Sequence, residues 1–230
     1  MACNLALTVV KTHDGVSKET VLEKSVPKGE RARSAELAAA ISKLEEAQVK
    51  QEELTKKLAY QATHDPLTGL AGRTLFRDRL EQAIASATNL TAPLAVLFID
   101  LNGFKLVNDT YGHATGDQLL QEMARRLTGA VFGHDSVARW GGDELVVLAT
   151  HLYPAGRAHD VAQKILAALI QPCQLGEFEV RVGAAIGVSL FPQDGTDATT
   201  LLRHADEAMY LAKRCEDNTV EFYRAVGNAN

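Results

Sequence analysis

Cysteine is scarce and poorly placed for structural work: Cys3, Cys173 and Cys215 lie far apart and none belongs to a C-x-x-C pair. That excludes a disulfide framework or a structural zinc site and makes a reducing cytoplasm the expected compartment. Basic charge is also in deficit. Lys and Arg total 24 against 29 Asp and Glu, a formal net charge of −5, which argues against sequence-independent binding to nucleic acid or an anionic membrane. No apolar run approaches the ~20 residues that a bilayer-crossing helix needs, and the start lacks a basic stretch leading into an apolar one. A soluble chain without membrane contact is therefore expected. What is present is apolar residues, 46% of a 230-residue chain, enough to bury the core of one globular domain with a further segment attached.

Three regions follow from changes of pattern. Residues 1–33 hold Gly15, Pro27 and Gly29 among scattered charges and read as an irregular lead-in or the remnant of something upstream, such as a sensory domain. From Ser34 to Thr63 there is no Gly or Pro, and Ala, Glu, Lys and Gln predominate, which predicts one long helix. Leu37, Leu44, Gln51 and Leu58 recur every seven residues, with Ala40, Ala47, Leu54 and Gln61 as the second row of the same stripe. Two readings stay open: a two-stranded parallel coiled coil with Gln51 setting register, or a single amphipathic helix lying on its own domain.

After His64-Asp65-Pro66, residues 64–226 alternate apolar strands with amphipathic helices. Helices are predicted over 73–87, 116–128, 155–170 and 198–213. Strands are predicted over 93–99, 178–190 and 220–223, with a hairpin formed by 137–139 and 145–148 around Gly141-Gly142. The class is α/β, with a mixed and largely antiparallel sheet.

Two constellations could carry chemistry. Asp100-Leu101-Asn102-Gly103-Phe104-Lys105 puts a carboxylate where an apolar strand opens and a lysine five residues on. Such an Asp can cap a helix or offer a hard oxygen to magnesium. Beyond it, Asn108, Asp109, Tyr111, Gly112, His113, Gly116 and Asp117 form a dense polar stretch, read as a loop. A carboxylate and an amide there could accept the N1–H and amino donors of a guanine edge. Gly141-Gly142-Asp143-Glu144 sets two acids at a tight turn, which suits either a solvated hairpin tip or a metal site shared with Asp100.

Read together, these segments resemble the GGDEF family of diguanylate cyclases. The resemblance runs from His64 to about Tyr223 through six ordered blocks: His64 to Leu70, Asp100 to Lys105, Asn108 to His113, Gly116-Asp117, Arg139 to Glu144, and Ala205 to Lys213. It implies a five-stranded sheet surrounded by helices, similar to polymerase palms and class III nucleotidyl cyclases. It further implies that two GTP molecules are condensed to cyclic di-GMP and two pyrophosphates by a homodimer with one GTP per domain. By the same resemblance Asp100, the Leu101 carbonyl and Asp143 hold Mg2+, or Mn2+ in its place, with Glu144 near the metal or the reacting hydroxyl. Asn108 and Asp117 read guanine, with His113 on the substrate side. Lys105 and Lys213 contact phosphate, Lys105 offsetting charge as pyrophosphate leaves.

Five positions depart from the family pattern. Leu145 replaces the usual Phe of the turn and is expected to point into the core. Gly72 and Asn102 stand at positions that are not metal ligands. Asp217 falls where a phosphate-binding Arg is usual, which favours, as the alternative, a weakly active or inactive module that binds GTP for signalling. Phe132-Gly133-His134-Asp135 occupies the place of the R-x-x-D product-inhibition element and lacks its arginine, so tight feedback is not expected.

Overall fold

A computed structural model describes residues 28–90, 92–152, 157–215 and 218–224. The chain divides into a unit ending at Lys56 and a second unit beginning at Lys57. Helix α1, Lys28–Thr63, runs through that division. It starts at Lys28 rather than Ser34, so the end of the expected irregular lead-in is helical; residues 1–27 lie outside the described residues. On α1, Leu37, Leu44, Leu54 and Leu58 are all exposed. No helix among the described residues is long and apolar enough to cross a membrane.

In the second unit the elements follow in the order α2 (Arg73–Leu90), β1 (Leu94–Asn102), α3 (Phe104–Tyr111), α4 (His113–Ala130), β2 (Ser136–Gly141), β3 (Glu144–Ala149), α5 (Arg157–Leu169), β4 (Cys173–Leu175), β5 (Phe178–Val180), β6 (Gly183–Phe191), α6 (Ala198–Lys213) and β7 (Thr219–Phe222). Five strands form one sheet in the order β2-β3-β1-β6-β7. All neighbours are antiparallel except β6 and β7. The mixed five-stranded sheet expected from the sequence is thus present.

The two-residue period of β1 divides the core. Ala95, Leu97, Ile99 and Leu101 face one apolar cluster with α4 and α5. Leu94, Val96 and Phe98 face a second cluster with α2 and α6. The same alternation on β3 sends Leu145 and Val147 to the first cluster and Val146 and Leu148 to the second. Asp100 continues the Val96-Phe98 row and Glu144 the Val146-Leu148 row, so both carboxylates end the face that α6 covers. Leu145 is fully buried, as its apolar character led us to expect.

Helix α6 lies close on β6. Its start is capped by Asp197, whose Oδ1 accepts the Thr200 N–H at 2.9 Å, satisfying a donor that a helix start leaves orphaned. Its inward residues Ala205, Ala208 and Ala212 are small and buried. Opposite them is Gly187, where a Cβ would overlap the backbone of Ala205, Ala208 and Met209.

Three sequence expectations need correction. Strand β1 continues past Asp100 to Asn102, because Asp100 to Asn102 keep their pairing with β6. The polar stretch from Asn108 to Asp117 is not a loop but two helices meeting at Gly112, whose φ of 85 breaks the helical path while its N–H closes α3 on the Asn108 carbonyl at 2.9 Å. The single strand expected over 178–190 is two: β5 leaves the main sheet and pairs with the unanticipated β4.

Candidate active site

The site is assembled at the end of β1 and the turn between β2 and β3. Asp100 pairs in register with Glu144 across the two strands. Asp100 is 5% exposed, and its Oδ2 accepts from the Lys213 ammonium at 2.9 Å. Its Oδ1 is buried with no hydrogen-bond partner among the described residues. An unsatisfied buried carboxylate oxygen is costly and marks a place where a cation or a polar group belongs.

The neighbouring acids are electrostatically crowded. Burial raises the Asp143 carboxyl above the ordinary range and the Asp100 charge adds to it; a backbone hydrogen bond, Lys213 and Arg139 partly offset the rise. Glu144 is raised by burial, then by Asp206, Asp100 and Asp143, against a smaller opposing pull from Arg73. The hydrogen bond to Asp100 raises the Lys213 ammonium, with the charges of Asp143 and Glu144 assisting against burial. Lys213 therefore neutralises part of an acid cluster that carries more charge than the protein alone offsets. Among the described residues no three His, Cys, Asp or Glu side chains make a metal cage by themselves. The expected set does not require one: Asp100, Asp143 and the Leu101 carbonyl are hard oxygen donors, and magnesium commonly completes its octahedron with water and substrate phosphate. The donor chemistry and the orphaned Asp100 Oδ1 fit such an ion.

The expected substrate residues lie on α3 and α4. Asn108 is half-buried on α3, its side chain laid against Gly116 so closely that a Cβ there would overlap its Oδ1. Asp117 follows, exposed on α4. The bare Gly116 thus leaves room for the Asn108 side chain against α4, one residue before Asp117. Lys105 on α3 and His113 at the start of α4 are exposed, and neither makes a hydrogen bond or ion pair among the described residues. The structure brings Asp100, Glu144 and Lys213 together, with Asp143 close enough for their charges to couple. Among the described residues Lys105 and His113 make no hydrogen bond or ion pair with these groups. Asp217 lies outside the described residues.

Sequence reasoning gave no role to the groups around the turn itself. Arg139 donates from Nε and Nη2 to the Gly142 carbonyl at 3.0 and 2.8 Å and from Nη1 to both Asp65 oxygens at 3.2 Å. Burial alone would raise the Asp65 carboxyl, but hydrogen bonds from the Thr68 hydroxyl and N–H, then from Arg139, hold it below the usual range. Arg73 donates to the Trp140 carbonyl and stands over the indole 5.4 Å from its centroid. The only local signal was that Asp65, Thr68 and the Arg139–Gly142 segment fall inside the quoted blocks, whereas Arg73 lies just outside them; their partners are distant in sequence.

In the place of the product-inhibition element, both oxygens of Asp135 accept backbone hydrogen bonds. Its Oδ2 accepts from the Phe132 N–H and its Oδ1 from the Thr150 N–H, each at 2.9 Å.

Residues 62–219 match the family model described as diguanylate cyclase, GGDEF domain. The chain belongs to the GGDEF family. Among curated relatives, the bifunctional diguanylate cyclase/cyclic di-GMP phosphodiesterase MucR of Pseudomonas aeruginosa is 46% identical over 175 residues, 76% of this chain and 25% of MucR. The diguanylate cyclase TpbB of Pseudomonas aeruginosa is 38% identical over 211 residues, 90% of this chain and 48% of TpbB. This GGDEF chain therefore spans about a quarter and about half of the two relatives' lengths. The solved GGDEF domain of TpbB from Pseudomonas aeruginosa superposes with a TM-score of 0.68 at 39% identity, covering 70% of this chain and 94% of that one. Family and fold thus agree with the resemblance read from the sequence blocks.

Proposed function

We propose that this chain condenses two GTP molecules into cyclic di-GMP, releasing two pyrophosphates, as a homodimer with one GTP in each GGDEF domain. The observation that carries this reading is the buried Asp100, paired with Glu144 and left with an orphaned Oδ1 beside the Asp143 turn. Asp100, the Leu101 carbonyl and Asp143 hold Mg2+ or Mn2+, which when bound supplies Lewis-acid stabilisation of phosphate charge and lowers the pKa of the attacking hydroxyl. Asn108 and Asp117 accept from the guanine edge, with His113 beside them on the exposed helix start. Lys213 swings its ammonium from Asp100 toward the triphosphate, and Lys105 balances charge on the departing pyrophosphate. Glu144 faces the reacting 3′-hydroxyl. That hydroxyl gives up its proton to water beside Glu144 as its oxygen forms a bond to the α-phosphorus of the other GTP and the bond to pyrophosphate breaks, and the exchange is repeated with the roles reversed.

Two half-sites must meet, and the exposed leucines of α1 supply a seam for pairing two copies, which raises the local concentration of one domain near the other. The reaction belongs where GTP is abundant, the cytoplasm. Chromatography of an incubation with GTP and Mg2+ tests the reading: cyclic di-GMP is the expected product, and retention of GTP without product would instead mark a binding module.

Two consequences follow from the geometry. Gly116→Ala should push Asn108 off its seat. Because alanine favours a helix by about 1 kcal/mol over glycine, thermal stability should hold or rise while GTP affinity falls about tenfold, the loss of one hydrogen bond of about 1.4 kcal/mol. Calorimetry with a non-hydrolysable GTP analogue beside a melting curve separates the two. Since Phe132 stands in place of the arginine and both Asp135 oxygens already accept backbone hydrogen bonds, added cyclic di-GMP should leave the initial rate unchanged. Inhibition by micromolar product would contradict this.

A further inference from the structure

The turn that carries Asp143 has little to fix its own shape. It joins two adjacent glycines, Gly142 has a φ of 52, and the β2–β3 register shifts between Arg139 and Gly141. Glycines adopt many backbone conformations at small cost, and a bulge re-aims the chain. The shape must therefore come from contacts outside the turn, and two guanidinium groups make them.

Arg139 bridges Gly142 to Asp65, using Nε and Nη2 on the carbonyl and Nη1 on the carboxylate. The pair is shielded, with side chains 16% and 19% exposed, so it is worth more than an exposed ion pair. Asp65 is itself fixed, accepting from the Thr68 N–H at 2.8 Å and hydroxyl at 2.7 Å. Arg73 grips the other side of the turn at the Trp140 carbonyl; a Cβ on Gly141 would come within 2.6 Å of its Nη2. Both grips originate beside the last turn of α1. The Gly72 N–H, next to Arg73, donates to the Thr63 carbonyl at 2.8 Å, and His64, next to Asp65, stacks on Tyr60 at 3.9 Å.

We infer that Asp65, Arg139 and Arg73 are positioning residues: they hold the Trp140–Gly142 backbone so that Asp143 and Glu144 face Asp100, and they tie that alignment to the end of α1. The catalytic part of this inference rests on the cyclase reading above; the structural part does not. The site's acids are on the turn, while the groups that set the turn are anchored in the segment through which α1 enters the domain. A shift of Thr63 or His64 is thereby felt at Asp143.

The chain's single tryptophan, Trp140, lies inside the clamp, under Arg73 and edge-on to Phe76 and Phe98 at 6.3 and 5.8 Å. It reports turn geometry whether or not the chain turns over GTP. Asp65→Asn should lower kcat at least about tenfold, as a small misplacement of reacting groups does, with KM for GTP within about twofold. It should also change Trp140 emission and acrylamide quenching, and Asp65→Glu should restore both. If Asp65→Asn fails to fold, Arg139→Lys carries the same readouts, because a single ammonium cannot bridge Asp65 and Gly142 as the planar fork does. A folded variant with unchanged Trp140 emission overturns the inference, as does a loss confined to GTP binding. A wild-type protein without cyclase turnover would refute the cyclase reading instead, and the Trp140 signal would still decide the clamp.

Discussion

Asp143→Asn is expected to lower cyclic di-GMP formation by a factor on the order of 10²–10³ or more, the scale of removing one preorganised electrostatic contact to a developing charge. The same variant should be no less stable than the parent without metal. The sign follows from the raised carboxyl. A group whose folded pKa lies above its unfolded value favours folding below the unfolded pKa and loses that contribution as pH rises through the folded one. Asp143 is raised by burial and by Asp100, so at neutral pH its ionised form opposes folding. Asparagine keeps the shape and removes the charge. Metal reverses the comparison. An ion that binds only the folded state at a hundredfold excess over its Kd adds about 2.7 kcal/mol, and this increment should be present in the parent and missing from Asp143→Asn. Differential scanning fluorimetry with and without Mn2+ measures it. A parent protein whose melting temperature ignores both ions would remove Asp100 and Asp143 from any metal role.

Gly187→Ala should have the largest effect on stability. Its Cβ would overlap backbone atoms of Ala205, Ala208 and Met209, none of which can rotate away as a side chain can. Overpacking costs typically 1–3 kcal/mol, and rigid backbone on the far side places this case near the upper end. At about 2–4 °C per kcal/mol for a chain of this size, the midpoint should fall by roughly 6–12 °C. Activity should fall as well, since lifting α6 from β6 draws Lys213 away from Asp100, which it meets at 2.9 Å. A midpoint within a degree of the parent would mean that α6 does not lie where the small residues place it. An alanine elsewhere in β6, at a position that is already Ala, offers no such test.

Most of the architecture could be read from local pattern, and the exceptions have physical causes. The apolar run of β1, the amphipathic α6 and the Gly141-Gly142 hairpin each carry a period or a turn residue that reports their conformation directly. Burial of Leu145 followed from its apolar character. The β4–β5 hairpin escaped because strands of three residues are too short to show a period. The split at Gly112 escaped because a dense polar stretch looks like a loop, although Val107 and Leu119 already supply the apolar faces of two helices. At the site, the acids were legible because they sit in contiguous motifs. Their partners were not: the Asp65–Arg139 and Asp100–Lys213 contacts span 74 and 113 residues, and nothing in either segment announces the other. Lys213 was expected on phosphate; its ammonium donates to Asp100 Oδ2 at 2.9 Å.

The most direct test of the central claim is the stoichiometry of a single reaction, with pyrophosphate release and cyclic di-GMP followed together from GTP and Mg2+. Two pyrophosphates per cyclic di-GMP are expected, at a rate per chain that rises with protein concentration as copies pair. GTP left intact, or cleaved to GDP and inorganic phosphate, would contradict the assignment.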